Sequence, residues 1–195
     1  MDDNKGLEQE VYVFELDEVL FPKRDYLVQV FYLFGSFYAF TENSTSANDI
    51  ALFMTKVYDL HGEEQVFLAT KTMFNIDDKY EENYHRLKAN AQIPLPLILY
   101  PDIDILFTKL RKKKKDIAIL TKGNPVEQLN KLSFIDWGAH HDLKKTLKVY
   151  FKDELSFKSI EPVEFIASNY AVLPEQIILV DKKTQVEKVL KKIIY

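Results

Sequence analysis

The sequence predicts an α/β protein with a Rossmann-like, doubly wound parallel sheet and an inserted helical segment. Three observations carry that expectation. Short apolar runs beginning at Val11, Asp116, Leu147 and Gln176 alternate with helical patterns, the order that gives a parallel sheet with right-handed crossovers. Several of these runs end in a charged or hydroxyl residue: Glu15 and Asp17, Thr121, and Asp181. Between the first and second runs, residues 22 to about 98 carry helical patterns and no strand pattern.

The first run, Val11-Tyr-Val-Phe-Glu-Leu-Asp-Glu-Val-Leu-Phe21, reads as a buried strand that delivers two carboxylates at its C-terminal end. Side chains two apart on a strand share a face, so Glu15 and Asp17 are expected to enter the same space. Two acids placed together cost stability unless a cation or donor meets them. In open α/β sheets, ligands bind outside the carboxyl ends of the strands, which is where these acids would lie.

Composition narrows the classes. A chain of 195 residues can bury one full core with a small inserted domain, and 47% hydrophobic with 13% aromatic residues marks a folded chain. With 26 basic against 30 acidic residues the formal charge is -4, which argues against general nucleic-acid or anionic-membrane binding. The chain has no cysteine, so disulfides, thiolate catalysis and cysteine zinc sites are excluded. The acidic, polar first ten residues lack a signal-peptide pattern, and no apolar run reaches the roughly 20 residues of a membrane helix; the expectation is a cytoplasmic protein. Asn43-Ser44-Thr45 matches a glycosylation acceptor, which without a secretion signal is read as chance.

Along the chain, Pro22 breaks regular structure and residues 26–41 form a strongly aromatic helical stripe, expected to pack into a core, with an aromatic ligand pocket as the alternative. Ser44–Asn48 reads as a turn and cap, followed by helical patterns at 49–60, 63–73 and 77–90. Pro94-Leu-Pro96 ends that block, and a helix starts at Tyr100-Pro101 and runs to the basic residues at 111–115, which read as a solvated helix C-terminus complementing the dipole. The strand Asp116–Thr121 leads into the turn Lys122-Gly-Asn-Pro125, and Pro125 opens a helix. Adjacent His140 and His141 read as surface residues. Leu147–Phe151 is the third strand with Lys158 in the loop after it, Glu161-Pro162 opens a helix, Gln176–Asp181 is the fourth strand, and a helix from about 184 closes the chain.

Phe14-Glu-Leu-Asp-Glu-Val-Leu20, Leu120-Thr-Lys-Gly-Asn-Pro125, Lys158 within Ser156-Phe-Lys-Ser-Ile-Glu-Pro162, and Leu179-Val-Asp181 together resemble, in order and spacing, the motifs of the haloacid dehalogenase (HAD) superfamily, in its helical-cap phosphatase branch. The resemblance implies a core of residues 1–21 and 99–195 with a helical cap at 22–98. It implies Mg2+-dependent phosphatase chemistry on a small phosphorylated metabolite: Glu15 at the nucleophile position, Asp17 as acid/base, Lys158 as the charge-neutralising amine. Thr121 with Lys122, Gly123 and Asn124 would hold the phosphoryl group, and Glu15, Asp17 and Asp181 the metal.

Three positions depart from the family pattern. The family nucleophile is Asp; the extra methylene of Glu15 moves the carboxylate by roughly 1.5 Å, and a misplacement of about 1 Å costs on the order of a hundredfold in rate. The last motif supplies one acid, Asp181, with Gln185 where a second acid is usual. Glu18 stands where Gly is frequent. The alternative to an enzyme is therefore a catalytically inactive relative that binds a phosphorylated ligand or a protein. A third reading is a structural Glu15–Lys158 ion pair in an empty cleft.

Overall fold

The computed structural model describes residues 10–43 and 47–194. The acidic N-terminus, and the acceptor pattern and cap expected across Ser44-Thr45-Ser46, lie outside the described residues. In chain order the elements are β1 (Val11–Phe14), α1 (Lys23–Glu42), α2 (Ala47–His61), α3 (Val66–Phe74), α4 (Glu81–Asn90), β2 (Leu97–Ile98), α5 (Pro101–Lys112), β3 (Asp116–Thr121) and α6 (Pro125–Phe134). They continue with β4 (Ile135–Asp136), α7 (Leu143–Thr146), β5 (Lys148–Phe151), α8 (Lys152–Phe157), α9 (Pro162–Tyr170), β6 (Ile177–Val180) and α10 (Lys183–Ile194). They divide into two compact units: one of residues up to Pro22, Ile98–Gln128 and Ile135 onward, the other of Lys23–Leu97 with Leu129–Phe134. This grouping places the second half of α6 with the inserted helices.

The first unit is built on a four-stranded parallel sheet in the order β5-β3-β1-β6. Phe14 pairs with Ile119 on one side and Val180 on the other, and Thr121 pairs with Phe151. All four C-terminal ends therefore open on one edge. β1 is buried along its whole length, as a strand covered on both faces must be, which explains its unbroken apolar sequence. Val11 and Val13 pack with Ala118, Leu120 and Ile177 against Leu155 of α8 and Ile166 and Ala167 of α9. On the opposite face Phe14 meets Phe107 of α5 edge to face, centroids 5.1 Å apart. Proline in the first turn starts α5, α6 and α9, and the side chain of Asn124 caps α6 by accepting from the Val126 N–H.

Two expectations are corrected in this unit. The segment after β5 is not a loop: α8 begins at Lys152, directly from the strand, and Lys158 is its exposed C-cap. His140 is not a surface residue. A 3-10 turn at Gly138–His140 folds it inward to 1% exposure, against the Phe107 ring, with Nε2 3.0 Å from Asp104 Oδ1 and Nδ1 3.1 Å from Arg111 Nη1. His141 stays exposed. The lysines after α5 are largely solvated, with Lys113 donating to the Ile193 carbonyl at 2.9 Å.

In the second unit the aromatic stripe of α1 packs as core. Tyr26, Phe31, Phe34 and Tyr38 are buried, and Phe34 meets Phe67 and Tyr84 edge to face. At Gly35 α1 comes close to α2: a Cβ there would sit 2.5 Å from the Ala47 carbonyl oxygen. Asn130 belongs to this packing, its Nδ2 donating to the Ala91 carbonyl at 2.8 Å and the Tyr26 hydroxyl at 3.1 Å. Among the described residues, no helix is long and apolar enough to cross a membrane.

Candidate functional site

The strand ends of the first unit bring Glu15, Thr121, Lys152 and Asp181 to one edge of the sheet. Glu15 directly follows β1 and extends its pairing, its N–H donating to the Val180 carbonyl at 3.0 Å. Its carboxylate is engaged at both oxygens. Oε1 accepts from the Leu16 N–H at 3.0 Å, and Oε2 accepts from Lys152 Nζ at 2.9 Å. The amine facing the expected nucleophile position is thus Lys152. Because Thr121 and Phe151 are register partners, Lys152 enters beside Thr121 at the next position along the edge.

Beyond Glu15 the chain turns tightly. Leu20 N–H bonds to the Leu16 carbonyl, Glu18 N–H to the Phe21 carbonyl, and Asp17 bridges to Phe21. Glu18 makes that turn at φ +64, the left-handed conformation glycine adopts freely, at a cost of about 1–2 kcal/mol for other residues. Asp17 Oδ2 lies 3.4 Å from Gln128 Nε2, and the same amide donates to the Lys122 carbonyl at 2.9 Å. Gln128, on the first helical turns of α6, so ties the β1 loop to the β3 loop.

Thr121 is fully buried, and its Oγ1 has no hydrogen-bond partner among the described residues. Buried hydroxyls are nearly always satisfied, so this one stands out at a strand end. In the following turn Lys122 is exposed. Gly123 adopts φ +104 and donates its N–H to Asp153 Oδ2 at 2.9 Å, and a Cβ there would come 3.3 Å from Gln128 Nε2. The Asn124 side chain is used as the α6 cap. Of the four expected phosphoryl-binding residues, Thr121 alone presents an unengaged buried polar atom, while Gly123 and Asn124 are committed within the protein.

Asp181 is exposed at the end of β6. The loop after it is closed by Gln185, whose Oε1 accepts from the Asp181 N–H at 2.7 Å and the Lys182 N–H at 3.1 Å. A magnesium ion requires near-octahedral oxygen ligation, usually with carboxylates. Among the described residues no group of three or more His, Asp or Glu side chains is placed to hold a metal. Of the residues expected to take Mg2+, Glu15 faces an ammonium, and Gln185, standing where a second acid is usual, gives its oxygen to two amides.

Lys152, Asp153 and Gln128 are the participants sequence reasoning missed. Lys152 had a usable signal: it follows an apolar strand run as directly as Asp181 follows another. Gln128 follows the Thr121–Pro125 turn that carries the resemblance, though its contact to Asp17, 111 positions away, has no local sign, and Asp153 carried no signal, its role being set by Gly123, 30 positions away.

No protein-family model and no curated protein sequence matches the chain. Solved structures do. One from Thermotoga maritima, assigned as a beta-phosphoglucomutase, is 16% identical over 88% of this chain and 75% of its own, with a TM-score of 0.51. The UTR4 protein of Saccharomyces cerevisiae is 13% identical over 95% of this chain and 88% of its own, with a TM-score of 0.50. A haloacid dehalogenase-like family hydrolase from Xanthomonas campestris is 13% identical over 97% of this chain and 79% of its own, with a TM-score of 0.49. At these identities the likeness concerns the backbone. The parallel β5-β3-β1-β6 sheet with its insertion of α1–α4 is the fold this chain shares with the Thermotoga maritima and Saccharomyces cerevisiae structures.

Proposed function

We propose that this chain is a non-hydrolytic binding protein for a small phosphorylated metabolite, seated at the strand ends by Thr121 and Lys152. The observation that carries the reading is Thr121: a buried hydroxyl with no partner among the described residues, on the strand next to β5, which Lys152 directly follows. A phosphoryl oxygen would accept from Oγ1, and the Lys152 ammonium, about one-third exposed, would supply the counter-charge. Hydrolysis through a covalent intermediate asks for a free carboxylate in line with phosphorus. Glu15 is instead pinned by its neighbour's N–H and by Lys152. No step through a divalent metal is assigned.

One observation favours hydrolysis: Asp17 is held by Gln128, as a positioned acid/base would be. A single experiment separates the two. Phenyl phosphate is titrated in EDTA by calorimetry, and its hydrolysis is followed with and without Mg2+ for wild type, Glu15→Asp, Thr121→Val and Asp181→Asn. EDTA-resistant binding is expected, weakened in Thr121→Val, without wild-type turnover. Mg2+-dependent turnover in wild type that disappears in Asp181→Asn would overturn the proposal in favour of a hydrolase. Absence of binding would leave Glu15–Lys152 as a structural ion pair. Turnover gained in Glu15→Asp alone would mark the wild-type chain as a hydrolase that lost its nucleophile geometry.

A further inference from the structure

The second unit contains a cavity of ≈ 440 Å³ lined by Phe37 of α1 and by Asn83, Arg86, Leu87, Ala89 and Asn90 of α4. It shares no lining residue with the strand-end site, and its size falls in the usual range of about 300–1,000 Å³ for small-molecule sites. Its polar lining is a property of α4 itself. Residues 83, 86, 87 and 90 fall at helical spacing on one face, so one helix presents two amides and a guanidinium to the same space.

Those groups are uncommitted. Among the described residues, no hydrogen bond or ion pair engages the side chains of Asn83, Arg86 or Asn90. The chain has three arginines. Arg24 is closed onto Asp59 by two hydrogen bonds, and Arg111 onto Asp142, His140 and the Ala139 carbonyl. Arg86 lines a cavity instead. Glu82, four residues earlier, stands where a helical ion pair would form, yet no such pair is present among the described residues. The Phe37 ring and Leu87 supply an apolar wall beside these donors.

We propose that this cavity binds a small molecule with an apolar body and one oxyanion, either carboxylate or phosphate. The oxyanion takes the forked N–H groups of Arg86, the body lies on Phe37 and Leu87, and the amides of Asn83 and Asn90 meet further polar atoms. A bidentate guanidinium contact is planar and directional, which selects an oxyanion over a neutral polar group.

The test is a titration of the full chain with benzoate and, separately, phenyl phosphate, followed by 1H–15N NMR of the Arg86 Nε–H and the Asn83 and Asn90 side-chain amides. Saturable shifts at these groups are expected with at least one probe. Affinity read at these three side chains should fall about tenfold or more in Arg86→Gln. Response to benzoate alone assigns a carboxylate ligand, response to phenyl phosphate alone a phosphate ligand. Arg86 is exposed, so the variant is expected to fold, and unchanged backbone amide shifts elsewhere check this. No saturable shift at the three side chains with either probe, or equal affinity in Arg86→Gln, overturns the proposal.

Discussion

Replacing Thr121 by valine should stabilise the ligand-free protein and weaken its ligand. The hydroxyl is fully buried without a partner, and leaving such a group unsatisfied costs about 1–3 kcal/mol. Valine keeps the branched shape, suits a strand, and removes the unpaired donor. A gain of about 1 kcal/mol follows, or roughly 2–4 °C in Tm for a chain of this length. The bound state reverses the sign. A hydrogen bond to a charged group is worth about 1.5–3 kcal/mol, so phosphate affinity should fall roughly ten- to a hundredfold. The assay is urea denaturation with and without saturating phenyl phosphate, since a ligand that binds only the folded chain raises its stability by mass action. Wild type should gain stability from the ligand, and Thr121→Val should start higher and gain less. Thr121→Ser separates the two effects: it keeps the hydroxyl and so the ligand response, while losing the methyl packing. A valine variant less stable than wild type without ligand would refute the claim that Oγ1 is unsatisfied. Undiminished affinity would refute its role in the site.

Three other perturbations have defined outcomes. Lys152→Met strands the Glu15 carboxylate, 15% exposed, and should cost about 1–3 kcal/mol in urea unfolding, with the double variant Glu15→Gln/Lys152→Met recovering part of the loss; strict additivity would show that the pair does not interact. Gly35→Ala gains about 1 kcal/mol of helix propensity but drives a Cβ to 2.5 Å from a backbone oxygen, an overpacking worth about 1–3 kcal/mol, so the net loss should appear as a lower Tm, and a stabilised variant would contradict the close approach of α1 and α2. Glu63 is desolvated, which raises its pKa, but hydrogen bonds from Lys23 and Lys88 outweigh this and hold it below the ordinary 4.5. A depressed folded-state pKa gives stability that is complete above the unfolded value and lost as pH falls through the folded one. Wild type should therefore lose stability below pH 4.5 more steeply than Glu63→Gln, and equal acid profiles would remove the linkage.

The parts of the fold that were legible rest on local pattern. An unbroken apolar run marked β1 because that strand is covered on two faces, and proline at 101, 125 and 162 marked helix starts because its fixed φ suits a first turn. What stayed hidden depends on partners far along the chain. His140 stands in a polar stretch, and its burial comes from Asp104, 36 residues away, and from Phe107. The second half of α6 has an ordinary amphipathic pattern, and long-range contacts, among them the bonds of Asn130 to Ala91 and Tyr26 and Lys131 over the Tyr26 ring, place it with the inserted helices. α8 was missed because Phe151 offers no side-chain cap and the helix lasts six residues, too short to show a period. That omission carried the site with it, since the lysine on Glu15 is the first residue of this helix.

The two polar exchanges at the strand ends act together. In the pattern this chain resembles, a carboxylate at position 15 and acids around the last strand would converge on a cation. Here Lys152 supplies a fixed positive charge 2.9 Å from Glu15, and Gln185 gives its oxygen to the 181 and 182 amides. An amide suits position 185 better than an acid, because its oxygen caps two N–H groups without adding a negative charge beside Asp181. The acids that remain are also restrained, Asp153 by the Gly123 N–H and Asp17 by Gln128. A cation arriving at this edge would meet the Lys152 ammonium at Glu15, whereas an oxyanion would find that lysine and the buried Thr121 hydroxyl. Binding of phosphate in EDTA, undiminished relative to Mg2+, is the behaviour this arrangement requires.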